Sequence, residues 1–157
     1  MFYKITSLVA LDDYILLLGF SNGEYKKFDL KPLIEKYPPF KDLETIAGLY
    51  KQVKIDIGGY GIVWNDYLDL DSTGLYEKGV ECEPVYNYEL LKTEFISELI
   101  RNRKEMNISQ KQLEVLSNVS QPIIARIERY QVDPQLSTII KMLEAMGKKL
   151  VIEDIRK

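Results

Sequence analysis

The sequence predicts an α+β protein in two parts: a small, mostly antiparallel α+β domain, then an all-α domain of four to five helices that ends in a β-strand. Three observations predict this. Apolar residues recur with a period of two in the first part and of about 3.6 from Thr93 onward. The turn-forming pairs Asn22-Gly23 and Gly58-Gly59 separate short β-rich runs, and only in the first part. Charge divides near the same place: residues 1–90 carry 9 Lys/Arg against 15 Asp/Glu, and residues 91–157 carry 12 against 9. Only the basic part suits a polyanion. The expected boundaries are 1–80 for the first domain, 81–92 for a linker and 93–157 for the second.

The first domain is read element by element. Lys4 to Ala10 and Tyr14 to Phe20 are apolar strands, and Glu24 to Asp29 returns after a two-residue turn at Asn22-Gly23. Pro32 to Tyr37 suits one or two helical turns that Pro38-Pro39 stop, and Leu43 to Leu49 suits another short helix. Gln52 to Ile57 alternates polar and apolar residues, Gly58-Gly59 turns the chain, and Tyr60 to Trp64 returns. Asp71-Ser72 is placed to cap a brief helix through Tyr76, and Glu77 to Tyr88, with Gly79 and Pro84, reads as a link. Trp64, Tyr60 and Tyr67 are expected in the core, the alternative being an exposed aromatic patch for a partner.

In the second domain Phe95, Ile96, Leu99 and Ile100 share a helical face. Ser109 and Gln112 have capping-box spacing, with Leu113 and Leu116 as the buried pair; Asn118 ends that helix because asparagine tolerates a left-handed conformation. Val119 packs inward, Ser120 caps the next helix, Pro122 sits in its first turn, and Ile124 and Ile127 face the core. After Gly147, residues 148–153 read as a terminal strand.

Two short helices joined by so tight a turn cross steeply and leave the start of the second projecting. Its outward side chains are expected to be Gln121, Ile123, Ala125 and Arg126. Gln pairs with adenine and Arg with guanine through two hydrogen bonds in the major groove, and small apolar side chains touch a thymine methyl. Lys111, Arg129, Lys141, Lys148 and Lys149 are candidates for phosphate contact.

The stretch Phe95 to about Ile152 resembles the phage-repressor and Xre type of helix-turn-helix, especially its HigA-like antitoxin branch. The resemblance rests on the Arg-Lys-Glu-Met-Asn-Ile that ends the leading helix, Ser109-Gln110, Ser120-Gln121-Pro122, Ile127-Glu128-Arg129, Asp133-Pro134 and the closing Gly147 to Leu150. It implies that Gln110 contacts phosphate, that Gln121 and Arg126 read bases, that Ser120 caps while touching the DNA backbone, and that Arg103 and Glu128 form an internal ion pair. Glu114, Asn118 and Tyr130 depart from the pattern, which has alanine at the first position and glycine at the other two. Lys4 to Gly79, with Asn22 to Leu33 and Val53 to Leu70 as its most specific stretches, resembles an uncharacterised bacterial family, domain of unknown function 2442; some members lie beside toxin–antitoxin elements.

The expected function is a sequence-specific repressor of transcription that binds double-stranded DNA at a palindromic operator and is the antitoxin that represses its own operon. The alternative is a ligand-sensing regulator whose first domain binds a small molecule. A homodimer through the terminal strand and a toxin protein are the expected partners. No enzyme is expected, because without histidine the commonest general base is missing. Nor is a cofactor or metal. Cys82, between Glu81 and Glu83, is expected to be inert; Asp56, Asp66, Asp69 and Asp71 lack the spacing of a calcium loop; and Gly58 to Gly61 precede no Gly-Lys-Ser/Thr. With no apolar run long enough to span a bilayer and no cleavable leader at Met1 to Ala10, the chain reads as cytoplasmic, without membrane contact.

Overall fold

The computed structural model describes residues 3–155. Contacts divide the chain into two compact units, residues 1–93 and 94–157.

Among the described residues the first unit has seven strands: β1 (Ile5–Ala10), β2 (Ile15–Phe20), β3 (Tyr25–Asp29), β4 (Lys54–Ile55), β5 (Gly61–Asn65), β6 (Leu68–Asp71) and β7 (Val80–Cys82). They form two antiparallel sheets, ordered β1-β2-β3-β7 and β4-β5-β6. The first hairpin turns at the expected place but through a three-residue loop, Ser21 to Gly23, and not a two-residue turn: Phe20 N–H donates to Glu24 O and Gly23 N–H to Phe20 O, both at 2.9 Å, only Gly23 of the three takes a positive φ (+87°), and Asn22 Oδ1 accepts Glu24 N–H at 3.1 Å. At the second turn Asp56 Oδ1 accepts the N–H groups of Gly58 (3.0 Å) and Tyr60 (2.8 Å), and Gly59 takes φ +76°. Short helices α1 (Lys31–Lys36), α2 (Asp42–Thr45) and α3 (Ser72–Lys78) complete the unit. Asp71 caps α3 by accepting Gly74 N–H at 2.8 Å.

Leu16, Leu17 and Leu18 are all fully buried, which a strand allows only if both its faces are covered. Leu16 and Leu18 join a core with Phe28, Leu30, Ile62, Trp64 and Leu75, so both sheets and the short helices contribute to it. Leu17 and Val9 face the other way, onto Leu90, with Tyr25, Cys82 and Tyr86 packed around them. Tyr50 locks the first core: its single O–H is shared between the carbonyls of Leu11 (2.8 Å) and Ile15 (2.7 Å). Burial, with Asp12 and Tyr14 nearby, holds that hydroxyl well above its ordinary pKa. Trp64 is core and its indole N–H donates to Tyr50 O at 3.1 Å, whereas Tyr60 and Tyr67 are exposed.

Three further segments differ from the sequence reading. Strand β6 was not expected, because Leu68 to Asp71 is short and half acidic. The segment read as a linker is structured instead: β7 pairs with β3, and Asn87 caps a helix by accepting Leu90 N–H at 2.9 Å, which seats Leu90 over Leu17. Its polar composition hides the few apolar residues that cover the second face. Burial pushes the Cys82 thiol up; Lys27 opposes this, and Glu83 and Glu81 add to it. The strand expected after Gly147 does not form. Residues 148–155 are irregular and exposed in the single chain, where they pair with no other strand among the described residues.

The second unit is helical. Helix α4 (Tyr88–Glu105) enters it, followed by α5 (Gln110–Ser117), α6 (Gln121–Glu128) and α7 (Leu136–Ala145). Ile96, Leu99, Leu113, Val119, Ile124, Ile127, Ile139 and Met142 are buried together. No helix among the described residues is long and apolar enough to cross a membrane.

Truncating Leu90 to alanine opens a cavity over β2 and is expected to cost about 2–5 kcal/mol. Denaturant titration measures the loss, and hydrogen exchange should quicken in β1 and β2; unchanged protection there would mean that Leu90 does not cover the sheet.

Candidate nucleic-acid interface

Helix α5 opens with a complete capping box, Ser109 Oγ accepting Gln112 N–H at 3.1 Å and Gln112 Oε1 accepting Ser109 N–H at 2.8 Å. It ends at Asn118, whose φ of 57° turns the chain sharply. Leu113 is buried as expected, but Leu116 is 58% exposed. Its place is taken by Val119, which the turn brings back to the core, and by Ser117, whose hydroxyl donates to Leu113 O at 2.6 Å and accepts Val119 N–H at 3.2 Å.

The start of α6 is held differently from the sequence expectation. Ser120 has the N-cap backbone conformation, yet its side chain caps nothing. Glu114 does so instead: its Oε1 accepts Gln121 N–H at 3.0 Å, and its other oxygen pairs with Lys111. The Lys111 ammonium first, and the Gln121 N–H second, hold the Glu114 carboxyl below the usual range. The substitution for the small alanine of the related pattern thus supplies the missing cap. Glu114 also pairs with Lys111, one of the candidates for phosphate contact.

On α6, Pro122, Ile123, Arg126 and Arg129 are exposed and Gln121 is half-buried. Ala125 is only 7% exposed, so it faces inward and not toward a ligand as expected. It lies four residues from Gln121 and three from Glu128, on the flank that leans toward α5. Lys141, Lys148 and Lys149 are exposed.

A chain of hydrogen bonds runs along that flank. Arg103 grips Glu128 with two parallel bonds, Nε to Oε1 at 2.6 Å and Nη2 to Oε2 at 2.7 Å, and its third donor reaches Ile108 O at 2.8 Å. The two side chains are only 9% and 7% exposed. Gln110 Nε2 donates to Glu128 Oε2 at 2.8 Å, and Gln121 Nε2 donates to Gln110 Oε1 at 2.8 Å. The polarity of this chain is fixed from one end. An ionised carboxylate only accepts, so Gln110 must turn its amide nitrogen to Glu128 and its oxygen to Gln121. Gln121 must then donate, which leaves its own oxygen and its second N–H for an outside partner. One acceptor beside one donor is what the N6 and N7 edge of adenine requires.

Two residues beyond α6, Tyr130 takes the left-handed conformation with φ 57°. This is not an exposed turn: the ring packs on the core, and its hydroxyl lies 2.8 Å from Ser97 Oγ. Burial pushes the Tyr130 hydroxyl up, against the bond to Ser97 and with some help from Glu128.

Residues 99–152 match the family model named "Helix-turn-helix", and residues 5–81 match "Protein of unknown function (DUF2442)". An uncharacterised helix-turn-helix-type transcriptional regulator of Haemophilus influenzae is 41% identical over 100 residues, which cover 64% of this chain and 93% of that protein. The chain belongs to the helix-turn-helix transcriptional regulators. Among solved structures, the regulator is similar to a candidate DNA-binding protein of Nitrosomonas europaea at 16% identity and TM-score 0.43, over 91% of this chain and 86% of that one. A toxin–antitoxin module from Streptococcus pneumoniae is 32% identical with TM-score 0.41, over 58% of this chain and 100% of that one.

Two measurements test how the regulator holds this site. Arg103→Ala leaves Glu128 buried and uncompensated, at an expected cost of about 3–5 kcal/mol in denaturant titration; a loss below ~1 kcal/mol would contradict the account. The raised Tyr130 pKa means that the folded state keeps its proton longer than the unfolded chain, so this contribution is intact below the ordinary value of 10.0 and is lost as pH rises above it. Melting temperatures followed from pH 8 to 11 should therefore fall more steeply in the parent than in Tyr130→Phe, and equal slopes would refute the assignment.

Proposed function

We propose that the regulator is a sequence-specific repressor that lays α6 in the major groove of double-stranded DNA. The observation that carries this reading is Gln121, oriented through Gln110 and Glu128, beside the exposed Arg126 on the same short helix. Gln121 reads adenine and Arg126 guanine, each through paired hydrogen bonds, and Ile123, 45% exposed, meets a thymine methyl. Arg129, Lys148, Lys149 and the Ser120 hydroxyl take phosphates, while Pro122 shapes the approach of the first turn. Gln110 acts through Gln121 and at the adjoining phosphate. Such units bury little DNA one at a time, so two copies bind half-sites of a palindromic operator about one helical turn apart. Residues 148–155, unpaired and bearing the exposed Leu150, Val151 and Ile152, supply an edge that a second copy extends.

The finer role we infer is that of an antitoxin which represses its own operon. The support is the division of charge: the acidic first part complements a basic, RNA-directed toxin by steering and occlusion, while the basic second part holds DNA.

Fluorescence anisotropy with the DNA upstream of the gene tests the repressor reading. Gln121→Ala and Arg126→Ala should each cost about 1–3 kcal/mol and relax preference at one base pair; Lys148→Ala and Lys149→Ala should weaken binding to all sequences and lower the salt slope by about one each. Equal affinity for operator and scrambled duplex would overturn it. Co-purification with the product of the adjacent gene tests the antitoxin role separately, and its absence would remove that role alone.

A further inference from the structure

The first unit has an open slot at the end of β3, about 480 Å³ in volume. It exists because β3 is longer than one of its neighbours. The β2–β3 ladder runs to Ile15 opposite Asp29, but the β3–β7 ladder stops at Lys27 opposite Val80, where the chain has just left α3. Bonds from Phe20 N–H to Glu24 O and from Leu30 N–H to Tyr14 O turn the even-numbered residues of this segment toward β2. By the alternation of an antiparallel ladder, the N–H and C=O of Asp29 point the other way, into the slot.

The walls are apolar and the rim is cationic. Ile15, Phe28, Leu33, Tyr37 and Val80 line the slot, and Lys27, Lys36 and Lys78 stand around it, all three exposed. None of these lysines is in an ion pair among the described residues; Lys36 Nζ lies 5.3 Å from the centre of the Tyr37 ring. The one carboxylate in the lining, Asp29, is engaged through Oδ1 by Lys31 N–H at 2.9 Å. Three lysines thus line an apolar slot within the part of the chain where acids outnumber bases, 15 to 9.

We propose that this slot is a binding site for a small amphipathic carboxylate, its apolar body against Phe28, Leu33 and Val80 and its anionic end among Lys27, Lys36 and Lys78. The volume is that of small-molecule sites. A strand from another protein is disfavoured, because only the two residues past Lys27 are left unpaired on that side, too few for a ladder. The inference goes beyond DNA binding and does not rest on it.

Isothermal titration calorimetry of the full chain with octanoate and with 4-phenylbutanoate tests the proposal, with the corresponding neutral amides as controls. Saturable binding is expected for at least one carboxylate, about tenfold weaker or absent for its amide and weaker at high salt. Lys27→Gln, Lys36→Gln and Lys78→Gln should each reduce affinity about two- to fivefold, as exposed ion pairs do, and together should abolish measurable binding. These side chains are exposed, so the variants should keep the parent melting temperature. No saturable heat at millimolar concentration, equal binding of the amides, or full affinity in the triple variant would each overturn the proposal. Anisotropy with operator DNA is unaffected by any of these results, so failure here is distinguishable from failure of the repressor reading.

Discussion

The buried pair of Arg103 and Glu128 ties the second unit together, since it joins the end of α4 to the end of α6 and, through Ile108 and Gln110, reaches the loop before α5 and its first turn. Such a pair adds little net stability, because removing both charges from water offsets most of their attraction. What it supplies is geometry. A guanidinium fork matches a carboxylate in one plane, and every later hydrogen bond in the chain inherits a direction from that match. The side chain that would meet a base is thereby oriented by an arginine on a different helix.

Much of this was legible in the sequence where a feature is local. The capping box at Ser109, the left-handed Asn118, the hairpin at Asn22-Gly23 and the cap at Asp71 each depend on residues within a few positions of one another, and each is found in the structure. The features that were not legible depend on distant partners. Nothing near Ser120 indicates that a carboxylate from the preceding helix would take over its cap, although Glu114 stood out as an unusual residue for its position. Leu116 fitted a helical period and is exposed, because a helix of eight residues has room for few inward positions and Val119 completes the core from beyond the turn. Residues 81–92 looked like a connector because a sheet face can be covered by a few scattered apolar side chains in an otherwise polar segment.

The two units carry opposite charge balances, and this constrains how the regulator can use them. Counterion release favours the basic unit on a nucleic acid and leaves the acidic one to face solvent or another molecule. The three lysines that line the slot at the end of β3 run against that trend in an otherwise acidic unit.

The burial of Leu16, Leu17 and Leu18 on both sides of β2 has a further consequence for how this sheet finds its pairing. A strand with one wet face is kept in place by its own alternation, since a slip by one residue would throw leucines into water. Here a slip would merely exchange one apolar contact for another, so the three leucines carry almost no information about alignment, and within the strand it is Gly19, with no room for a side chain against Ser7, that does. The corners add to it: the glycine at the first bend and the tyrosine hydroxyl that clasps the carbonyls of Leu11 and Ile15 at the other end act as the two stops between which the strand is indexed.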